Sequence, residues 1–73
     1  MPNYRATKLY KKLTMYVACA YAEGFNEGEN ATPTEQLIAW QWISDRGLQN
    51  QLQGFYGRMV NELIKHNKIR KPK

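Results

Sequence analysis

Covalent catalysis and metal binding both need reactive side chains in sets, and this chain has few to offer. It carries one cysteine (Cys19), one histidine (His66) and one serine (Ser44). A structural zinc site takes four Cys or His ligands. Cys19 and His66 fall on different predicted helices, so neither a metal nor a cofactor is expected. A nucleophile needs a base within hydrogen-bond reach. Ser44 has only Asp45 beside it in sequence, and His66 falls on the core side at a helix end, where packing or capping is its expected role. Gly54-Phe55-Tyr56-Gly57 lies inside a helical pattern and lacks the Lys-Ser/Thr that follows a phosphate loop. The stretch 23–35 holds Glu23, Glu27, Glu29 and Glu35 with no basic residue. Aligning Gly28 with the glycine of a calcium loop puts Phe25 and Thr34 where acidic or amide ligands belong, so that pattern fails. Asn30-Ala31-Thr32 has the form of a glycosylation acceptor, a match without weight unless the chain is secreted. The expectation is a protein that is not an enzyme.

Charge is the stronger signal. The net charge is +5 with a pI near 9.6, which raises the odds of an acidic partner. Arg5, Lys8, Lys11 and Lys12 surround the start of the first predicted helix. Cations there oppose the helix dipole by about 0.3–1 kcal/mol each at low salt. This basic patch therefore points to an external anion or acidic partner, with simple solubility as the competing reading. Lys65, Lys68, Arg70, Lys71 and Lys73 suit the negative end of the last predicted helix. Gln49, Asn50, Gln51 and Gln53 are side chains able to read adenine edges. They follow a helix and a short turn at Gly47, which is the order of a helix-turn-helix. Against that reading, no Lys or Arg begins the would-be recognition helix. Trp42 and Ile43 also crowd the place where a small residue usually lets the two helices meet.

The elements that position these residues read as an all-α three-helix bundle, with helices near 7–23, 33–46 and 49–67. The central stretch, Ala31 to Gly47, carries its own limits. Thr32 caps, Pro33 suits the first helical position, Glu35 completes a capping box and Gly47 ends the helix. Its apolar residues run nearly all round: Leu37, Trp40 and Ile43 on one face, Ile38 and Trp42 on the other. The spacing assigns Trp40 to the core, and Trp42 with Ile38 and Arg46 to an exposed partner-binding surface. In the first helix, Leu9, Leu13, Tyr16, Val17 and Ala20 form the expected core stripe. The opposite face, with Ala18 and Ala22, reads either as a solvated face or as small residues that let another backbone approach closely. In the third, Leu48, Leu52, Tyr56, Met59 and Leu63 face inward. Gly54 and Gly57 share its outer face and ask for a close neighbour or a kink. Phe25 caps the core from the first loop. Up-down-up packing sets the basic tail beside the acidic loop, frayed from about residue 67.

The chain of 73 residues reads as one domain, 1–73, ending in that tail. A domain this small buries only about 60% of the surface its unfolded chain exposes. A single cysteine fits a reducing compartment. No apolar run has spanning length and no apolar segment resembles a signal peptide, so no membrane contact and a cytoplasmic location are expected. Size, charge, scarcity of catalytic groups and excess apolar surface resemble those of small bacteriophage accessory proteins, many of which bind and inhibit or redirect a host enzyme. No specific motif carries that resemblance. The expected function is a protein-binding module that modulates or inhibits an enzyme of nucleic-acid metabolism. Its partner would be an acidic protein surface or a nucleic-acid-processing complex. A DNA-binding protein contacting nucleic acid directly and a self-associating homodimer are the alternatives.

Overall fold

The computed structural model describes residues 3–52 and 54–72. Among them are four α-helices: α1 (Lys8–Lys12), α2 (Met15–Glu23), α3 (Pro33–Asp45) and α4 (Gly54–Lys65). Short 3-10 turns cover Tyr4–Ala6, Asn26–Gly28 and Leu48–Asn50. No strand occurs among the described residues. The all-α bundle stands, with the expected first helix divided in two.

The division falls at Leu13 and Thr14, both extended. The Thr14 side chain accepts from the Val17 N–H at 3.3 Å and starts α2 as an N-cap. Threonine is a weak helix former and a strong cap, so the break follows from its chemistry. Leu13 and Ala20 are buried as expected, with Leu9 and Val17 packed against the core, but Tyr16 is 52% exposed and Ala18 and Ala22 are buried as well. Small side chains let α2 settle closely on α3, against which it packs most extensively. The alanine face is therefore an interior face rather than a solvated one. The loop after α2 comes equally close. A Cβ on Gly28 would lie 2.2 Å from the Ala20 carbonyl oxygen, so only glycine fits there. Phe25 does not cover the core. It is 38% exposed and stands edge-on to Tyr16, with ring centroids 6.4 Å apart.

Helix α3 is the hub. Its capping box forms as read: the Glu35 N–H donates to Thr32 Oγ1 at 3.1 Å, and the Thr32 N–H to Glu35 Oε1 at 2.9 Å. Gly47 leaves the helix in the left-handed region at φ 67°. Every residue from Ile38 to Ser44 is buried. Helix α1, the Tyr4–Ala6 turn, α2 and the Leu48–Asn50 turn all pack on α3. From α4, Tyr56 and Phe55 meet Trp40 with ring centroids at 5.3 and 6.1 Å. A helix apolar all round is thus enclosed over residues 38–44 by short pieces of a small chain.

The C-terminal segment completes the enclosure. Asn67 adopts a left-handed conformation at φ 59°. The Lys68 N–H donates to the Leu63 carbonyl at 2.8 Å and the Asn67 N–H to that of Ile64 at 3.0 Å. That pair of bonds is a Schellman turn. It sends the chain back along α3, where Ile69 is 1% exposed. The buried Gln41 amide grips the Arg70 backbone at both ends, accepting from its N–H at 2.6 Å and donating to its carbonyl at 2.9 Å. The expected frayed tail is docked through residue 71.

Candidate functional site

Two surface features stand out, and each is built from segments distant in sequence. The first surrounds Asp45, in the last turn of α3. Arg5 Nε donates to Asp45 Oδ2 at 2.7 Å and Arg5 Nη2 to Oδ1 at 2.6 Å. The Tyr10 hydroxyl donates to Oδ2 at 2.5 Å and Gln41 Nε2 to Oδ1 at 3.1 Å. Arg5 Nη2 also reaches the Lys71 carbonyl at 2.7 Å. Burial alone pushes the Asp45 carboxyl up, but donation from Arg5 and then Tyr10 outweighs it and holds the group below its ordinary value. The hydrogen bond to Asp45 raises the Arg5 guanidinium, and burial followed by that carboxylate raises the Tyr10 phenol. All three keep the protonation states that make the bonds. One carboxylate therefore ties the N-terminal turn, α1, α3 and the C-terminal segment together.

The expected placement of charge changes accordingly. Arg5 is not a free member of a basic patch, because it is paired with Asp45. Lys8, Lys11 and Lys12 are exposed. Since α1 ends at Lys12, Lys11 and Lys12 sit in a last turn, where cations favour the dipole rather than oppose it. The C-terminal cations are divided: Lys68 lies with Pro33 and Gln36 at the start of α3, on the acidic loop's side as expected, whereas the Arg70 backbone docks on Gln41 and the Lys71 carbonyl on Arg5, toward the other end of α3.

Trp42 and Ile38 are not an exposed anchor. They are 6% and 5% exposed, and Trp40 is 3% exposed. The rotation that the spacing implies is real, but both faces of α3 are covered. Arg46 is exposed and lies over Trp42, its guanidinium carbon 4.1 Å from the ring centroid and 5.9 Å from that of Tyr10.

The second feature is an open apolar groove of about 300 Å³ between α3 and α4, lined by Pro33, Gln36, Leu37, Trp40, Met59, Leu63 and Lys68. The sequence assigned Leu37, Trp40, Met59 and Leu63 to the core. What periodicity could not reveal is that α4 leaves this side of α3 partly uncovered.

The described residues between α3 and α4, 46–52, include a 3-10 turn. Helix-turn-helix motifs join their helices through three or four residues. Asn50 is exposed in that turn rather than on a recognition helix. Gln53 lies outside the described residues, as does the Gln49 side chain. Gly54 opens α4, so it is not an interior glycine. Ser44 is fully buried and its hydroxyl has no partner among the described residues. His66 is not on a core side; its side chain is 61% exposed and 3.2 Å from Glu62. Among the described residues no cluster of His, Cys, Asp or Glu could hold a metal, and no helix is long and apolar enough to cross a membrane. Comparison with family models, curated proteins and solved structures returns no match to this chain.

Proposed function

We propose that this protein is a non-enzymatic binding module that takes one amphipathic helix of an acidic protein partner into the α3/α4 groove. The observation that carries the reading is the groove itself. Leu37, Trp40, Met59 and Leu63 line an open apolar trough in a domain that otherwise encloses its central helix. Grooves between helices accept the apolar face of a partner helix through anchors spaced i, i+3, i+4 and i+7. Methionine suits such a site by its adaptability, and the buried Trp40 forms part of the floor. Lys68 on the rim and the net charge of +5 favour carboxylates flanking those anchors. Within this reading the partner is an enzyme or complex of nucleic-acid metabolism that the module modulates.

The test uses a designed helical peptide with leucines at those four spacings and glutamates elsewhere, titrated into labelled protein and followed by NMR. Shifts concentrated at the Trp40 indole N–H and the Met59 methyl, abolished by Leu37→Glu, are expected. A lysine-substituted peptide should bind far more weakly. Equal response to both peptides, or shifts that avoid the groove, would refute the proposal.

A further inference from the structure

Helix α1, the end of α3 and the C-terminal segment, all of which carry cations, are brought together around Asp45. Lys8, Lys11 and Lys12 stand at i, i+3 and i+4 of α1, so they share one side of it, and all three are exposed. Tyr10 points the other way and holds α1 to Asp45 at 2.5 Å. Arg5 joins the same carboxylate to the Lys71 carbonyl, which brings the C-terminal segment alongside. Arg46 lies over Tyr10 and Trp42. Arg5 engages that carboxylate, Arg46 and the Lys71 backbone lie beside this node, and the three α1 lysines stand on the outer side of the helix, away from Asp45.

The geometry points to a second role for this face: binding the phosphate backbone of duplex nucleic acid without sequence preference. The chemistry of the face selects among anions. A protein interface has an apolar or aromatic core within a polar rim. Here the outer side of α1 is lysine, and the neighbouring rings, Trp42 and Tyr10, lie under Arg46. A single strand would need open rings on which to stack its bases, and these rings are covered. A membrane surface would need apolar side chains to insert beside the lysines, and α1 turns its Leu9 and Tyr10 away from them. Phosphates in a duplex need only spaced cations and polar donors. Exposed Asn50 and Gln51 follow Arg46 in the next turn and supply such donors. The inference does not depend on the α3/α4 groove.

The test is fluorescence anisotropy with a labelled duplex of about 20 base pairs, titrated across salt from about 50 to 200 mM. Wild-type protein should bind with affinity that falls steeply with salt. K8Q/K11Q/K12Q should weaken binding at least about tenfold at the lowest salt and flatten the log–log salt slope by about 2–3, since each phosphate contact contributes about 0.9. The charge-matched variant R58Q/K65Q/K68Q, altered on α4 and the turn after it, should change affinity less than about threefold. Circular dichroism of both variants should match wild type, because the substituted side chains are exposed. No duplex binding by wild type at the lowest salt would overturn the inference. So would equal losses in the two variants, tighter binding of a single strand of the same length, or displacement of the duplex by polyglutamate at matched charge.

Discussion

Asp45→Asn tests whether the node around this carboxylate holds the domain together. The substitution keeps the side chain's shape and removes its charge. Asp45 is 6% exposed and accepts four hydrogen bonds, two of them from Arg5. Asparagine keeps one carbonyl oxygen and presents an NH2 group toward a guanidinium or phenol that also donates. Hydrogen bonds to charged groups contribute about 1.5–3 kcal/mol each. Breaking a fully buried pair costs about 3–5 kcal/mol. Arg5 retains 15% exposure, so water recovers part of that loss, leaving about 2–4 kcal/mol. A chain of 73 residues has a total stability of about 4–11 kcal/mol, at about 0.05–0.15 kcal/mol per residue. The variant should therefore melt about 8–32 °C lower, at about 4–8 °C per kcal/mol for a domain of this size. Urea unfolding at neutral pH, combined with Arg5→Gln in a double-mutant cycle, measures the coupling directly. The pH dependence has a definite sign. Asp45 is held below its ordinary value when folded, so its contribution is complete above the unfolded value of about 3.9. It is lost as pH falls through the folded value. Asp45→Asn should remove most of that acid-side slope. A variant within about 0.5 kcal/mol of wild type, with the same loss of stability in acid, would refute this account of the node.

Two further substitutions probe the packing around α3. Trp42→Ala and Trp40→Ala should each cost about 3–5 kcal/mol, as large-to-small changes in a core do; unfolding midpoints followed by circular dichroism check this, and a Trp42→Ala protein as stable as wild type would restore the tryptophan to the surface. Gly28→Ala should cost more than about 2 kcal/mol, because its Cβ meets the α2 backbone rather than a movable side chain; a neutral effect in the same assay would show that the loop does not press on α2.

The local signals that the sequence carried strongly were those with a local cause. Thr32, Pro33, Glu35 and Gly47 delimit α3 as read, because capping depends on atoms within a few residues. The core assignments of Trp40 and Tyr56 follow from helical spacing, which survives folding. The break at Thr14 was legible in principle, since threonine there competes with helix continuation through its own side chain. Periodicity concealed it, because Leu9, Leu13 and Val17 fit an unbroken helix equally well.

Tertiary structure settled what depends on partners far along the chain. Spacing put Trp40 and Trp42 on different sides of α3, and only the assembled fold shows that both sides are covered. The pairing of Arg5 with Asp45 spans 40 residues, and its contact with Lys71 spans 66. No periodicity encodes a contact of that range. The direction of the C-terminal segment hangs on one left-handed asparagine and on a buried glutamine that needs a backbone partner. From the sequence came a basic protein with a central apolar helix. The docking of its two ends beside α3 follows from satisfying buried polar groups, a requirement that exists only once the chain has closed around them.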